Sequence, residues 1–485
     1  VVVVAGYNDK LPLLLQSVLD TLTQLVVDEK RFAIVMDQVR RNYQNFDMEE
    51  PYQHVAYYSL YLLTEQIWTQ HEKLAAMDGI TAADVQAYIP WVCEQLHVEM
   101  LVHGNVDAAQ AEALLDRVVS HVDAEPLPER ETLPPRSLLL APGSNSAWKL
   151  PVANPGNVNS SLEYYVQVGD PTDVALRATL ALFAQIAHEP CFDQLRTKEQ
   201  LGYLVFSGVR RNPGAMGFRV IVQSERDSDY LESRIDAFFD QLRTLLRNLT
   251  PEEFAAHKRS LIHKKRESVK NLAEETNRFW MSIHSGYYDF LSRERDIEEL
   301  ERLTKDDVLR LMDTYVHPSS RVRAKNVTHL QAQGTSTPLS PAAFDAFLAF
   351  LAERGAPVPD EARADLAAQA QSVEALRAIV EALYAQGAVS ADLPQADVLA
   401  AVDRVAAAHP AAQPADASEA AVRDVLPVHT IDDVRAFKAS LRASDVPHPI
   451  LPWSAYEQAP QETRDAELAV PDARDAAPRG VRANM

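Results

Sequence analysis

Two kinds of hydrophobic pattern alternate along the first two thirds of the chain. Around residues 15–19 and 231–235, apolar side chains recur every four positions, as on one face of an amphipathic helix. Residues 203–207 and 218–223 instead alternate apolar and polar positions, and a Pro-Gly pair lies between them at the end of residues 210–214. The pattern therefore predicts helices mixed with an antiparallel hairpin, which is an α+β fold.

The chain also contains an internal repeat. Three pairs of segments match in order at offsets of 216, 222 and 223, and they are residues 15–19 with 231–235, 28–32 with 250–254, and 81–85 with 304–308. The last pair has the Thr-x-x-Asp form of a helix N-cap box in both copies. Each match alone is common, but their shared order and nearly constant offset indicate two homologous α+β domains.

The two copies differ at their front. The second copy has residues 147–222 ahead of its matching helices, and the first copy has no room for such a portion. We predict a strand at residues 1–5 and another at 98–102 in the first copy. We expect the chain to begin inside its first domain, with the missing portion upstream in the parent protein.

Composition divides the rest of the chain. Four prolines within residues 124–136 predict an extended linker. After residue 331 the sequence becomes Ala-rich, yet Phe344, Phe347 and Leu348 keep helical spacing, which favours a helical insertion over the alternative of disorder. The predicted units are a truncated first domain at 1–123, a linker at 124–146, a second domain at 147–331, the insertion at 332–426, and a C-terminal helix and tail of the second domain at 427–485.

Charge and composition exclude several classes of protein. A hydrophobic content of 47% over 485 residues suffices for two or three cores. The net charge of −22 disfavours a nucleic-acid partner, and no apolar run is long enough to span a bilayer. Only Cys93 and Cys191 are present, which favours the reducing cytosol, with mitochondrial and peroxisomal locations as alternatives.

Residues 188–203, HEPCFDQLRTKEQLGY, carry the candidate chemistry. Their spacing predicts a helix in which Phe192 faces a core and Arg196 does not, ending at Gly202, with Tyr203 opening a strand. Arg196 and Tyr203 would then project toward one place, where their donors suit a peptide carbonyl oxygen. The alternative from spacing alone is a surface arginine and a half-buried tyrosine without a role.

The same region resembles a known family of zinc metallopeptidases. EPCF, LRTKEQLGY, VFSG and QSE within residues 189–224 resemble the last domain of insulin-degrading enzyme and its fungal relatives in the insulinase/pitrilysin family. GYNDK at 6–10, DEKRF at 28–32 and LVHGN at 101–105 resemble the domain before it. The resemblance covers residues 1–330, resumes weakly at 429–452, and implies the C-terminal half of such an enzyme.

The resemblance implies a function for the candidate residues. In that family, two halves built from four homologous α+β domains enclose a peptide, and the N-terminal half carries zinc. Arg196 and Tyr203 would then bind substrate near the scissile bond, with Phe192 lining the neighbouring pocket. The implied partners are the N-terminal catalytic half of the same protein, peptide substrates and a possible second copy. The sequence has no His-x-x-Glu-His motif, so we expect zinc in the other half and no activity from this chain alone.

Two alternatives stay open at this point. A non-catalytic scaffold or binding protein of the same fold, like mitochondrial core subunits, would also resemble this family, although it has no need for Arg196 and Tyr203. Cys191 adjoins Phe192, so a bulky thiol adduct there could block substrate; the alternative is a buried, inert cysteine.

Overall fold

The computed structural model describes residues 1–128, 131–333, 339–370, 372–385, 393–409 and 426–457. The helices are α1 (Leu11–Thr23), α2 (Glu29–Asn45), α3 (Pro51–Leu63), α4 (Gln70–Ala76), α5 (Ala82–Glu94), α6 (Ala108–Val122), α7 (Val174–Phe192), α8 (Ser228–Asn248), α9 (Pro251–Arg266), α10 (Leu272–His284), α11 (Ser292–Arg302), α12 (Lys305–Leu311), α13 (Pro341–Glu353), α14 (Asp360–Gln369), α15 (Val373–Ala385), α16 (Gln395–Ala408), α17 (Val434–Ser440) and α18 (Trp453–Glu457). The strands are β1 (Gln95–Leu96), β2 (Glu125–Pro126), β3 (Leu138–Leu139), β4 (Asn145–Pro151), β5 (Ser160–Gly169), β6 (Leu204–Asn212), β7 (Ala215–Ser224), β8 (Ala324–Gln331), β9 (His429–Thr430) and β10 (Arg442–Ala443). A 3₁₀ turn at Phe46–Met48 and π-helical turns at Asp193–Lys198 and Met312–Val316 extend α2, α7 and α12.

A six-stranded mixed sheet organises the second domain. Its strand order is β6-β7-β5-β8-β4-β9, with antiparallel pairing from β6 through β8 and parallel pairing of β4 with β8 and β9. Side chains of α7 and α8 pack on one face, where Phe183, Phe218 and Phe239 are fully buried. Burial of such large aromatic groups supplies much of the driving force for folding. Mixed helices and strands confirm the predicted α+β class.

Helix α3 of the first domain packs on the opposite face of that sheet. The residues that precede and follow Tyr165 and Ile221 along their strands contribute to the main core. Tyr165 and Ile221 therefore point to the opposite face, as the strand period of two requires. They pack in the same clusters as Val55 and Leu62 of α3, both of which are fully buried. Both faces of the central strands are therefore covered, and the two domains share an apolar interface.

A buried ion pair crosses the same interface. Glu163 on β5 is fully buried, and its Oε1 accepts hydrogen bonds from Arg210 Nη1 at 2.8 Å and from Ser59 Oγ at 3.2 Å. Arg210 also donates from Nη1 to Ser59 Oγ at 2.6 Å and from Nη2 to Ser59 O at 3.2 Å. Because Ser59 belongs to α3, this pair joins the first domain to the sheet.

The internal repeat is visible in the order of the helices. Helices α1 to α5 correspond in sequence to α8 to α12, and both predicted N-cap boxes form, Thr81 with Asp84 and Thr304 with Asp307. Helices α1 and α8 each bury their matched apolar positions, at residues 15–19 and 231–235. The helices predicted from these N-cap boxes and from the apolar periodicity are therefore confirmed.

Two predicted strands of the first domain are not formed. Residues 1–5 and 98–102 are irregular, and within the described part of this domain the strand ladder consists of β1 paired with β2. A strand requires a partner that satisfies its backbone hydrogen bonds. Among the residues described, the first domain contains no counterpart of the β6–β7 hairpin that could supply one.

The hairpin of the second domain forms with a tighter turn than predicted. Strands β6 and β7 are joined by Pro213 and Gly214 alone. Gly214 has φ +77°, and a Cβ atom there would lie 2.1 Å from Ser444 Oγ, so this position requires glycine. Within the predicted linker, residues 124–146, Leu138 and Leu140 are buried and β4 begins at Asn145.

The described part of the Ala-rich segment consists mainly of helices joined by short non-helical connections. Helices α13 to α16 lie between β8 and β9 and share a separate core around Phe347, Leu376 and Val402. Ser340 Oγ donates to His409 O at 2.6 Å, which brings the two ends of the insertion together. This agrees with the predicted helical insertion. The apolar spacing of residues 371–387 also predicts a helix that ends at Gly387, and this position lies outside the described residues. No helix in the described part of the chain has the length and apolar character needed to cross a membrane.

Candidate functional site

The predicted site lies between the end of α7 and the start of β6. Helix α7 continues into the π-helical turn Asp193–Lys198, and Leu201 N–H donates to Leu195 O at 3.0 Å. Helical structure ends at Lys198 rather than at the predicted Gly202. Gly202 is required for a different reason, since a Cβ there would lie 2.0 Å from the carbonyl oxygen of Gln223. Single π-helical turns are frequent at functional sites.

Phe192, Arg196 and Tyr203 come together on the surface of this turn. The Arg196 guanidinium carbon lies 4.7 Å from the ring centroid of Phe192 and 4.7 Å from that of Tyr203. The guanidinium is therefore held between two aromatic rings, each of which attracts a cation. The sequence-based expectation that Arg196 and Tyr203 converge is confirmed, although strand β6 begins one residue after Tyr203.

The prediction that Phe192 faces a core is wrong. Leu195 is fully buried, whereas Phe192 is 39% exposed, and Tyr203 is 87% exposed. Phe192 and Leu195 would share a face on a regular helix. The i→i+5 hydrogen bonds of a π-helical turn widen the helix and change the direction of successive side chains. Phe192 is consequently on the same open surface as Arg196.

The side-chain hydrogen-bond donors of Arg196 and Tyr203 are available to a ligand. Within the described part of the chain, no side chain or carbonyl accepts a hydrogen bond from the Arg196 guanidinium or the Tyr203 hydroxyl group. Five guanidinium N–H groups and one phenol O–H can therefore donate to a ligand. An extended peptide, which presents carbonyl oxygens and apolar side chains, has the chemistry to bind this surface.

Cys191 lies beneath this surface rather than on it. Its side chain is fully buried within the main core, and burial raises the pKa of the Cys191 thiol to about 12, despite a hydrogen bond with Ser207. The thiolate is the reactive form of cysteine. This placement favours the inert cysteine over a site of thiol modification.

A labelling experiment checks this placement. We expect N-ethylmaleimide to modify Cys93, which is partly exposed, and to leave Cys191 unmodified until the protein is unfolded. Peptide mass spectrometry of native and urea-treated samples measures both sites, and Cys191→Ser provides the control. Equal labelling of the two cysteines in the native protein would contradict the buried thiol.

The sequence did not predict a polar cluster between the first turns of α8 and strand β8. Ligand atoms of Asp229, Glu232 and His329 lie within 4.8 Å of one another. Lys149 Nζ donates to both Asp229 carboxylate oxygens at 2.6 Å, and Lys325 Nζ donates to Glu232 Oε1 at 2.6 Å. Each carboxylate is already neutralised by an ammonium group, whereas catalytic zinc needs three deprotonated ligands and an open position. This cluster does not fit zinc, and we derive no catalytic step through it.

Glu232 makes the stability of the protein dependent on pH. Burial alone would raise the pKa of Glu232, but the His329 imidazole and the Lys325 ammonium group lower it from 4.5 to about 2. The resulting stabilisation is present above pH 4.5 and is lost as the pH falls toward 2. We expect Glu232→Gln to lower the free energy of unfolding by on the order of 3 kcal/mol at pH 7.

Urea unfolding of both proteins at several pH values measures this effect. The difference between wild type and Glu232→Gln should shrink as the pH falls from 5 to 3, because Glu232 then becomes protonated in the unfolded wild type while it stays ionised in the folded protein. A difference that stays constant over this range would show that Glu232 does not titrate with a lowered pKa.

Comparisons with known proteins match both domains of the chain. A family profile described as the middle or third domain of peptidase M16 matches residues 1–76, and one described as PQQ synthase PqqF-like, C-terminal lobe domain 4, matches residues 182–280. Human insulin-degrading enzyme is 35% identical over 335 residues, which are 68% of this chain and 32% of that protein. The A-factor-processing enzyme of Saccharomyces cerevisiae is 32% identical over 332 residues, again 68% of this chain and 32% of that protein.

A solved structure agrees with these matches at the level of the fold. Pitrilysin superposes with a TM-score of 0.61 at 22% identity, over 68% of this chain and 34% of that one. The chain spans about a third of the length of the curated relatives it matches. Both domain profiles, the relatives and the shared fold together place the chain in the insulinase (M16) family of peptidases, in the C-terminal half of that architecture.

Proposed function

We propose that this chain forms the substrate-enclosing C-terminal half of an intracellular zinc metalloendopeptidase that cleaves short peptides. The observation that carries this proposal is the cluster of Phe192, Arg196 and Tyr203, in which the side-chain donors have no acceptor among the described residues. The names of the relatives, insulin-degrading enzyme and A-factor-processing enzyme, support activity on peptides.

Arg196 and Tyr203 act in this proposal by donating hydrogen bonds to a peptide carbonyl oxygen beside the scissile bond. Donors placed where negative charge develops stabilise the transition state, and loss of one typically costs about 2.7–4 kcal/mol of barrier. The Arg196 guanidinium presents its donors in a planar fork. Stacking between two rings restricts its rotation, so less conformational entropy is lost when a peptide binds.

Phe192 contributes an apolar surface next to these donors. Its ring is partly exposed, and the ring centroid lies 4.7 Å from the guanidinium carbon of Arg196. An apolar side chain of the peptide can pack there while its backbone carbonyl meets the guanidinium. The metal, its bound water and the general base belong, in this proposal, to the N-terminal half of the same protein.

Assay of the complete gene product that contains this chain tests the proposal. We expect one zinc ion per protomer and cleavage of a quenched fluorogenic peptide that a zinc chelator abolishes, whereas residues 1–485 alone cleave nothing. A complete product without His-x-x-Glu-His and without peptidase activity would contradict the proposal and favour the scaffold alternative.

A further inference from the structure

A pair of charged residues ties the π-helical turn to helix α8. Glu199 directly follows the turn, and it accepts hydrogen bonds from Arg234 Nε to Oε2 at 2.6 Å and from Arg234 Nη2 to Oε1 at 2.9 Å. Gln194, inside the turn, donates from Nε2 to Glu199 Oε1 at 2.7 Å and accepts from the Glu199 N–H at 2.9 Å. We call Gln194, Glu199 and Arg234 the clamp.

The ion pair of the clamp is more buried and has better hydrogen-bond geometry than an ordinary surface ion pair. The Arg234 and Glu199 side chains are only 19% and 13% exposed, and the two parallel hydrogen bonds form a bidentate pair. The Glu199 carboxylate raises the pKa of the Arg234 guanidinium. Bidentate, charge-assisted pairs fix orientation as well as distance.

The backbone beside the clamp has little regular hydrogen bonding of its own. The π-helical turn ends at Lys198 and strand β6 begins at Leu204, so residues 199–203 belong to neither of these two elements. Within this stretch Gln200 has φ +50°, a left-handed conformation that costs free energy for a non-glycine residue. The surrounding contacts must therefore impose this conformation.

Arg196 lies before this stretch and Tyr203 lies at its end. Their stacking at 4.7 Å depends on the relative position of the turn and the start of β6. The clamp joins the turn, through Gln194 and Glu199, to α8, which packs on the sheet in the main core. It thus connects the surface formed by Phe192, Arg196 and Tyr203, here called the peptide surface, to the core of the domain.

We infer that Glu199 and Arg234 are positioning residues for the peptide site, acting through Arg196 and Tyr203 rather than by contact with substrate. The effect of these residues on peptide binding rests on the proposed function. Its structural part, that the clamp orders residues 195–203, stands independently of any substrate.

The experiment uses the full chain and the variants Glu199→Gln and Arg234→Lys, which keep the size or the charge of the original side chain. We expect Glu199→Gln to speed amide hydrogen exchange of residues 195–203 roughly tenfold and to weaken binding of fluorescein-labelled insulin B chain roughly tenfold, because small misplacements of binding groups are costly. Arg234→Lys, which loses the bidentate pair, should have an intermediate effect.

The chain offers a matched control. Arg243 on α8 pairs with Asp313 of the other π-helical turn, Nε to Oδ1, at 2.6 Å, far in sequence from the peptide surface. Asp313→Asn should leave exchange of residues 195–203 and peptide binding unchanged. Similar melting temperatures for Asp313→Asn and Glu199→Gln would show that the local effect is not general destabilisation.

A double-mutant cycle with Arg196→Ala decides whether the clamp acts through Arg196. We expect Glu199→Gln to add little further loss of binding in the Arg196→Ala background. Equal losses in both backgrounds, or unchanged exchange of residues 195–203 in Glu199→Gln, would overturn the inference. If Glu199→Gln speeds exchange but neither Arg196→Ala nor Tyr203→Phe alters peptide binding, the clamp stands as a structural device and the proposed peptide role fails.

Discussion

Arg210→Ala is expected to lower the free energy of unfolding by about 3 kcal/mol, because it removes the hydrogen-bonded charge partner of the buried Glu163 carboxylate and leaves only the longer contact with Arg219 Nη1, at 3.7 Å from Oε2, among the described ion pairs. Glu163 is fully buried between the sheet and α3, and Arg210 supplies its 2.8 Å hydrogen bond. The same substitution removes two hydrogen bonds to Ser59. The loss therefore weakens the contact between the two domains as well as the second domain itself.

Urea denaturation followed by circular dichroism measures this effect. Arg226→Ala is a suitable control, because Arg226 is exposed in the same domain. The double variant Glu163→Gln/Arg210→Met should recover part of the lost stability, since it removes both buried charges. If Arg210→Ala costs no more than Arg226→Ala, the buried pair does not stabilise the interface.

Tyr203→Phe in the complete protein is expected to lower turnover tenfold or more. The substitution removes only the hydroxyl donor and retains the ring that stacks on Arg196 at 4.7 Å. Loss of a donor used in the transition state lowers kcat and kcat/KM together while KM changes little. A tenfold change corresponds to about 1.4 kcal/mol. The loss of about 2.7–4 kcal/mol that is typical of one such donor would lower turnover about a hundredfold to a thousandfold.

Steady-state kinetics with a fluorogenic peptide tests this prediction. Tyr7→Phe is a matched control, because Tyr7 is 88% exposed and Tyr203 is 87% exposed. The control should keep wild-type turnover. Unchanged kcat in Tyr203→Phe, or an increase in KM alone, would show that the hydroxyl group does not act on the transition state.

Part of the candidate site could be predicted from the sequence. The run of residues 192–203 indicated that Arg196 and Tyr203 approach each other, since a helix end and a strand start meet there. The direction of Phe192 could not be predicted, because the π-helical turn is a small local deviation that apolar spacing does not reveal. Arg234 was also missed, since it lies 35 residues from Glu199 and no local pattern connects them.

The sequence by itself determined the helices, their caps and the repeat of the two domains. These features depend on side chains within a few residues of one another, as in the boxes at Thr81 and Thr304. The β6–β7 hairpin was predictable for the same reason, because both strands adjoin one turn.

Only the tertiary structure decided which apolar segments became strands and which polar groups became partners. Residues 98–102 carry a strand-like pattern, but no described strand pairs with them to satisfy their backbone, whereas β5 obtains partners on both sides from β7 and β8. The Glu163–Arg210 pair and the clamp at Glu199 likewise join residues distant along the chain. Their stability arises from burial and geometry that exist only after the domains have packed.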